Sequence, residues 1–533
     1  MTAKEKIGQR ITLGFTGTVI SDCLKRMVKE YKAGNVILFR DNLVNAGQAR
    51  QLCADIQELV KGETGLPAFI SIDQEGGAVV RLPADMVNVP GAMALAASGS
   101  IKNAALAAKI TADELRRIGV NLNLAPVLDI NCNMDNPAIG NRSFAANADD
   151  AAAFAIAAIR AYAEAGLMCS GKHFPGHGDT AVDSHLDLPL VDKSLNELER
   201  RELFPFRKAI EAGIPAIMTT HILFPQIENE KLPATMSKKI LKGLLRDSMG
   251  FRGLILSDGM EMKAIKDYYG VPNGCVLALD AGVDIVFLCH ESDDMENSMK
   301  EIYSAFDNGR FNMEEFDASV GRIISYKEKY TDFGLNAKED IDEVVAKRKE
   351  QNAALAQSTI TPRYTGNAMP PLGDCPLFMG SLAYRSTIAS AKPDSSLSFS
   401  RWFAEHFEAA SSKPDCKPQF LETPVNPSAM EINDIIDKLP DSSSIVFGSY
   451  NGHLNKGQMD LAKSLFECAK KRTSQDSIIP FICMALRNPW DLLELPEGAQ
   501  GLALFEYTEK SFTAAAKVLK NECQAKGRMP KWL

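Results

Sequence analysis

Eight short apolar runs recur along the first part of the chain, each closed by turn or polar residues. They are 11–15 (ITLGF), 35–39 (NVILF), 67–73 (PAFISID), 119–125, 168–173 (MCSGKH), 215–221 (PAIMTTH), 254–258 (LILSD) and 284–289 (DIVFLC). Stretches with helical periodicity separate them, among them the alanine-rich 99–118, then 148–166 and 194–213. A continuous apolar run reads as a strand buried on both faces, and strands alternating with crossover helices build a parallel sheet. Eight such units are the number that closes a barrel. The chain is therefore expected to be an α/β protein with an N-terminal (β/α)8 TIM-like barrel.

In that architecture the active site is built at the C-terminal ends of the strands, whatever the sequence distance between its residues. Asp73, the pair Lys172 and His173, then His221 and Asp258 each stand where an apolar run ends, so they are expected to converge on one pocket. A strand end also turns polar simply by leaving the core. That accounts for a single position more readily than for four ends at once.

A single core rarely grows past about 250–300 residues, and this chain has 533, 45% of them hydrophobic. A second domain is expected. Residues 358–376 (STITPRYTGNAMPPLGDCP) carry prolines and glycines without periodicity, as a linker does. Beyond it, apolar runs at 377–381, 444–448, 478–485 and 501–505 alternate with helical segments at 457–471 and 510–520. The expected division is a catalytic barrel over 1–357, a linker over 358–376 and a smaller α/β three-layer sandwich over 377–533.

The formal net charge is −9 and no run rich in lysine or arginine is present, so neither nucleic acid nor an anionic membrane is an expected partner. A neutral small molecule fits better. Eleven cysteines are scattered without a CxxC pair and are read as reduced. Residues 1–17 lack an apolar run of signal-peptide length, and no stretch reaches the roughly 18–20 apolar residues of a membrane span. The expected location is cytoplasmic.

Residues 172–185 (KHFPGHGDTAVDSH) hold three of the chain's seven histidines, with a lysine and two aspartates among prolines and glycines. Such a loop offers little to an apolar core and much to proton transfer. Asp183 and His185, two residues apart, can pair. A neighbouring carboxylate raises a histidine above its usual value of about 6.5 and keeps it protonated for leaving-group departure. Asp258, closing an apolar strand before a glycine, suits a nucleophile that forms a glycosyl intermediate. Its competing role is to cap a helix starting near residue 259. Lys172 and His173 are placed to bind hydroxyls, His177 to stabilise the loop, Asp73 to accept from vicinal hydroxyls, and Arg142 to donate bidentately to a sugar oxygen or an N-acetyl carbonyl. Glu75 and Arg81 read as a rim ion pair. A zinc site on His173, His177 and His185 is the competing reading of the loop, although its spacing is not HExxH.

Taken in order, these segments resemble glycoside hydrolase family 3, in its β-N-acetylglucosaminidase branch, which includes bacterial peptidoglycan-recycling enzymes. The resemblance rests on residues 34–39 with Asn42, DQEGG at 73–77 with Arg81, APVLD at 125–129, GNRSF at 140–144 and the KHFPGHGDT…DSH loop. Residues 218–221, PATMS at 233–237 and SDGM at 257–260 complete it. It implies that Asp258 is the nucleophile and that His185 with Asp183 is the acid/base dyad. It further implies that Asp73, Arg142, Lys172, His173, His221 and Met260 bind the terminal sugar. The implied reaction is retaining hydrolysis of terminal non-reducing β-linked N-acetylglucosamine, from a muropeptide or a chito-oligosaccharide, with neither metal nor cofactor. Phosphorolysis on the same fold is the alternative, and a sugar-binding module without catalysis a more distant one. The second domain resembles that of larger members and is expected to pack or to form a homodimer. Ala78 stands where relatives often carry arginine.

Overall fold

The computed structural model describes residues 1–180, 188–331, 341–363, 369–385, 390, 395–407, 417–474 and 477–529. All eight apolar runs form strands: β1 (Ile11–Leu13), β2 (Asn35–Leu38), β3 (Phe69–Ile72), β4 (Leu122–Asn123), β5 (Met168–Phe174), β6 (Ala216–Thr219), β7 (Leu254–Gly259) and β8 (Ile285–Leu288). They pair in parallel in sequence order, and β8 pairs back onto β1 to close the barrel. This confirms the TIM-like fold.

Side chains alternate across each strand, and the two faces have separate cores. Phe69, Leu122, Leu124, Met168, Met218, Leu254, Leu256 and Phe287 form one apolar cluster, which fills the barrel. Ile70, Ile72, Cys169, Ile217, Ile255 and Val286 belong to another, packed under the surrounding helices. Helices Ile101–Ile118 and Ala148–Glu164 match the periodicity closely. The helix expected over 194–213 is instead two, Leu195–Arg200 and Leu203–Glu211. The break falls at Arg201, whose φ of −132° and ψ of −76° leave the helical region while its guanidinium holds Asp179 and Glu202.

The second domain is a six-stranded sheet. Its strands are β9 (Thr361–Arg363), β10 (Pro376–Gly380), β11 (Gln419–Glu422), β12 (Ser444–Ser449), β15 (Phe481–Ala485) and β16 (Gln500–Ala503), while β13 (Thr473–Ser474) and β14 (Ser477–Ile478) form a separate short ribbon. The order is β11-β10-β12-β15-β16-β9, all parallel except β9. Met379, Phe447 and Cys483 face the helix Lys456–Lys471 in one cluster. Phe378, Val446 and Met484 face Phe399 and Phe512 in the other. Three layers result. The stretch expected as a linker is partly regular, because the helix Ile341–Thr359 runs into it and β9 lies within it.

One cysteine expectation fails. Cys375 is disulfide-bonded to a partner outside the described residues, while nine others are free. Distant cysteines brought together by folding leave no mark in local spacing, and a disulfide removes the argument for a reducing compartment. No described helix is long and apolar enough to cross a membrane.

Candidate active site

The barrel's inward-facing register carries straight into its polar rim. Phe69, Ser71 and Asp73 share a parity, as do Met168, Ser170 and Lys172, and Leu254, Leu256 and Asp258. Phe69, Met168, Leu254 and Leu256 belong to the cluster that fills the barrel, so the residues of the same parity beyond the filled layers project from its C-terminal mouth. Asp258 thus belongs to β7 itself. The next helix, Lys263–Tyr269, begins after Met262, which removes the helix-capping role for Asp258.

Lys172 is the hub of the mouth. Its Nζ lies 2.7 Å from Asp73 Oδ1 and 2.6 Å from Glu75 Oε1, and only 2% of its side chain is exposed. Burial opposes its charge, but Asp73 and then Glu75 raise its pKa overall. Glu75 also takes Arg142, with Nε 2.9 Å from Oε2 and Nη2 2.7 Å from Oε1. Burial alone pushes the Glu75 carboxyl up, yet Arg142 and Lys172 together hold it far below the usual carboxylate range. This corrects two expectations. The fork of Arg142 grips Glu75 rather than lying open to a sugar, and Glu75 pairs with Arg142 and Lys172. Asp73 remains 20% exposed at this mouth.

Asp129, from the APVLD segment, organises the start of the histidine loop. It is fully buried and accepts from the backbone N–H groups of His173 and His177, at 3.2 and 2.7 Å, and lies 2.6 Å from His173 Nδ1. Burial raises its pKa, but His173 and His177 outweigh that and leave it lowered. His173 Nδ1 therefore faces a carboxylate. His177 Nδ1 meets Thr180 Oγ1 at 3.0 Å, and Asn136 binds His177 O and Thr180 Oγ1. His177 thus ties the loop to itself, as expected. The dyad candidates Asp183 and His185 lie outside the described residues.

Asp258 accepts from Gly259 N at 2.7 Å and is partly exposed. Cys289, just past β8, connects it to the opposite side of the mouth. Its thiol is pushed well above the ordinary range, first by burial and then by Glu261, Asp258 and Asp73. Asp258 on β7 and Asp73 just past β3 thus both act on the Cys289 thiol. Two further sugar-ligand candidates stand behind this surface instead of on it. His221 is fully buried, with Nδ1 2.9 Å from Thr235 Oγ1 and Nε2 donating to Gly259 O at 3.0 Å. It buttresses the strand end that carries Asp258. Met260 is also fully buried, in the apolar layer outside the barrel.

Of the three histidines of the zinc reading, His173 and His177 direct their Nδ1 atoms to Asp129 and Thr180, and His185 lies outside the described residues. Among the described residues, three possible ligand atoms come together only at Cys132, Asp179 and Glu202. Lys193 and Arg201 already hold both of those carboxylates.

The second domain braces the same motifs. Asn141, beside Arg142, donates to Phe505 O at 2.8 Å, and buried Glu506 accepts from Gly91 N at 2.5 Å. Gly77, at φ +56°, sits where a Cβ would lie 2.8 Å from Gly91 Cα and 3.2 Å from Glu506 Oε1. Only glycine allows this turn and this contact together. Asp129 and Glu75 are the site residues the sequence reading undervalued. Both follow strands, which is the signal that singled out Asp73 and Asp258.

Comparison with known proteins agrees with this fold. The model of the glycosyl hydrolase family 3 N-terminal domain matches residues 2–326. Beta-hexosaminidase A of Pseudoalteromonas piscicida is 32% identical over 367 residues, covering 62% of this chain and 61% of that protein, so this chain spans about three-fifths of that relative. A beta-hexosaminidase of Neisseria meningitidis serogroup C is 35% identical over 294 residues, covering 53% of this chain and 78% of its own length. A solved family 3 beta-N-acetylglucosaminidase from Paenibacillus sp. superposes with a TM-score of 0.88 at 34% identity, covering 99% of this chain and 98% of the other. On a family match through the whole barrel and a likeness that extends over both domains, the chain belongs to glycosyl hydrolase family 3.

Proposed function

We propose that this protein is a retaining exo-β-N-acetylglucosaminidase acting through Asp258. One observation carries the reading: Asp258 continues the inward face of β7 to the barrel mouth, opposite the Asp73–Lys172–Glu75–Arg142 cluster. The names of the relatives support the sugar class. In the first step an Asp258 carboxylate oxygen attacks the anomeric carbon, and the leaving-group oxygen takes a proton from His185, which Asp183 orients. The products are a glycosyl ester on Asp258 and a free aglycone alcohol. In the second step His185 takes a proton from water, the water oxygen bonds to the anomeric carbon, and the ester releases Asp258. Two inversions return the β-anomer.

The bound residues have distinct parts in this scheme. Asp73 accepts from sugar hydroxyls while Lys172 holds it in place. Asp129 orients His173, whose Nε2 has no partner among the described residues and is left to a hydroxyl. Glu75 and Arg142 act from behind as positioning residues. The substrates that fit are short carbohydrates with a terminal β-N-acetylglucosamine, either muropeptides or chito-oligosaccharides.

A panel of aryl β-glycosides differing at C2 and C4, assayed with and without phosphate, tests sugar and acceptor together. The expected result is preferential hydrolysis of the 2-acetamido-gluco substrate with no sugar 1-phosphate formed. Preference for the plain glucoside, or sugar 1-phosphate as the main product, overturns the reading.

A further inference from the structure

At the opposite end of the barrel, under the N-terminal ends of β1 and β8, three guanidiniums crowd around one carboxylate. Asp284 is fully buried and takes Arg246 Nη2 at 2.6 Å, Arg322 Nη2 at 2.7 Å, Ser319 Oγ at 2.6 Å and Ile255 N at 2.8 Å. Arg10, 3% exposed, donates to the main-chain oxygens of Asp284, Leu279 and Val283. Phe316 covers the Arg10 guanidinium at 4.4 Å. Three fixed positive charges thus face a single negative one. The nearby acids do not offset the excess, because Asp280 is paired with Lys238, and Glu315 with Lys242.

The crowding works against the guanidinium charges. Burial above all lowers the Arg10 pKa, to about 10; Asp284 opposes this and the Arg322 charge adds to it. Arg246 is lowered for the same reasons, burial first, with Arg322 repelling it. Arg10 is buried while Arg246 and Arg322 are 13% and 31% exposed, and like charges set this close favour a counter-charge.

The space for one is present. A cleft of about 160 Å³ opens here, lined by Arg10, Arg246, Arg322 and Lys242, with the paired carboxylates Asp280 and Glu315 also on its wall. A single water needs only about 10–15 Å³ of such space. The Nη1 groups of Arg10 and Arg322, both lining residues, donate no hydrogen bond to the described residues. Donors from separate guanidiniums, arriving from different elements, suit a tetrahedral oxyanion better than a planar carboxylate, which one fork satisfies.

We infer that this cleft binds a small phosphate-type oxyanion between Arg10 and Arg322, with Lys242 turning from its Glu315 pair to meet the anion at the rim, on the face of the barrel opposite Asp258. The site is independent of the catalytic reading. It would anchor helix Met313–Tyr330, which carries Ser319 and Arg322, to the strand ends at Arg10 and Asp284.

Calorimetric titration of the full chain with inorganic phosphate tests this, at constant ionic strength in chloride and with saturating N-acetylglucosamine present to occupy the catalytic mouth. The expected result is one saturable phosphate per chain, unaffected by the sugar. Affinity should fall about tenfold in Arg322→Gln, as for a lost charge-assisted hydrogen bond, and about threefold in Lys242→Gln at the more exposed rim. Circular dichroism checks that each variant folds. Should Arg322→Gln not fold, the weakening in Lys242→Gln decides alone. Absence of saturable binding, displacement of phosphate by the sugar, or unchanged affinity in the folded variants overturns the inference.

Discussion

Lys172 Nζ lies 2.6 Å from Glu75 Oε1, and both side chains are more than nine-tenths buried at the barrel mouth. A buried ion pair broken on one side leaves an uncompensated charge, at a cost of about 3–5 kcal/mol. Glu75→Gln, which strands Arg142 and leaves Lys172 with Asp73 alone, should therefore lower stability by about that much in urea titration. The double variant Glu75→Gln with Lys172→Met should recover part of the loss. The Glu75 pKa is lowered on folding, so its contribution is present above the unfolded value of about 4.3 and fades as pH falls through lower values. The gap between wild type and Glu75→Gln should therefore narrow below about pH 4.

Asp129 should prove as necessary as the residues it serves. Asp129→Asn replaces one acceptor oxygen with a donor facing the N–H groups of His173 and His177. The expected cost is about 1–3 kcal/mol in stability. A loss in kcat/KM of about tenfold or more should accompany it, as His173 loses its orienting partner, and steady-state kinetics on an aryl β-N-acetylglucosaminide measures it.

Lys327 lies fully buried at the other end of the barrel, its Nζ 2.5 Å from Gln9 Oε1 and 2.8 Å from Gly34 O. Burial drives its pKa well down. The unfolded chain holds this proton up to about 10.4 while the fold releases it earlier, so the fold gains stability as pH rises between the two values and loses it as pH falls. As pH rises toward the unfolded value of about 10.4, wild type should gain on Lys327→Met by up to about 1.4 kcal/mol per pH unit, read from chemical denaturation.

Glu506 gives the domain contact its own pH signature. Burial raises its pKa to about 7 against the Gly91 hydrogen bond. For an acid raised on folding, the neutral form's advantage is complete below the unfolded value of about 4.3 and lost as pH rises through about 7. Relative to Glu506→Gln, wild type should lose roughly 3 kcal/mol across that window and level off above it. A flat difference in melting behaviour from pH 4.5 to 8 would contradict this.

Much of this architecture was legible because parallel strands are buried on both faces and appear as unbroken apolar runs. Each of the eight runs became a barrel strand. The edge strands of the second domain carried no such mark. Gln419–Glu422 alternates between partly exposed and exposed residues, and Thr361–Arg363 is short and contains a proline. At the site, strand-end polarity pointed to Asp73, Lys172 and Asp258. It could not show that Arg142 turns to Glu75, that His221 turns to Gly259 or that Met260 turns into the core, because those directions depend on partners distant in sequence. The alternation Leu254, Leu256, Asp258 was readable all along, and it separates a residue at the barrel mouth from one that caps a helix.

The most direct test is mass spectrometry of the protein quenched while turning over a slow fluorinated β-N-acetylglucosaminyl fluoride, which lets the glycosyl ester accumulate. Digestion should yield one peptide heavier by the sugar residue, with the mass on Asp258, and Asp258→Asn should show no adduct and almost no turnover. An adduct on another carboxylate, or full turnover by Asp258→Asn, would contradict the assignment of Asp258 as the nucleophile.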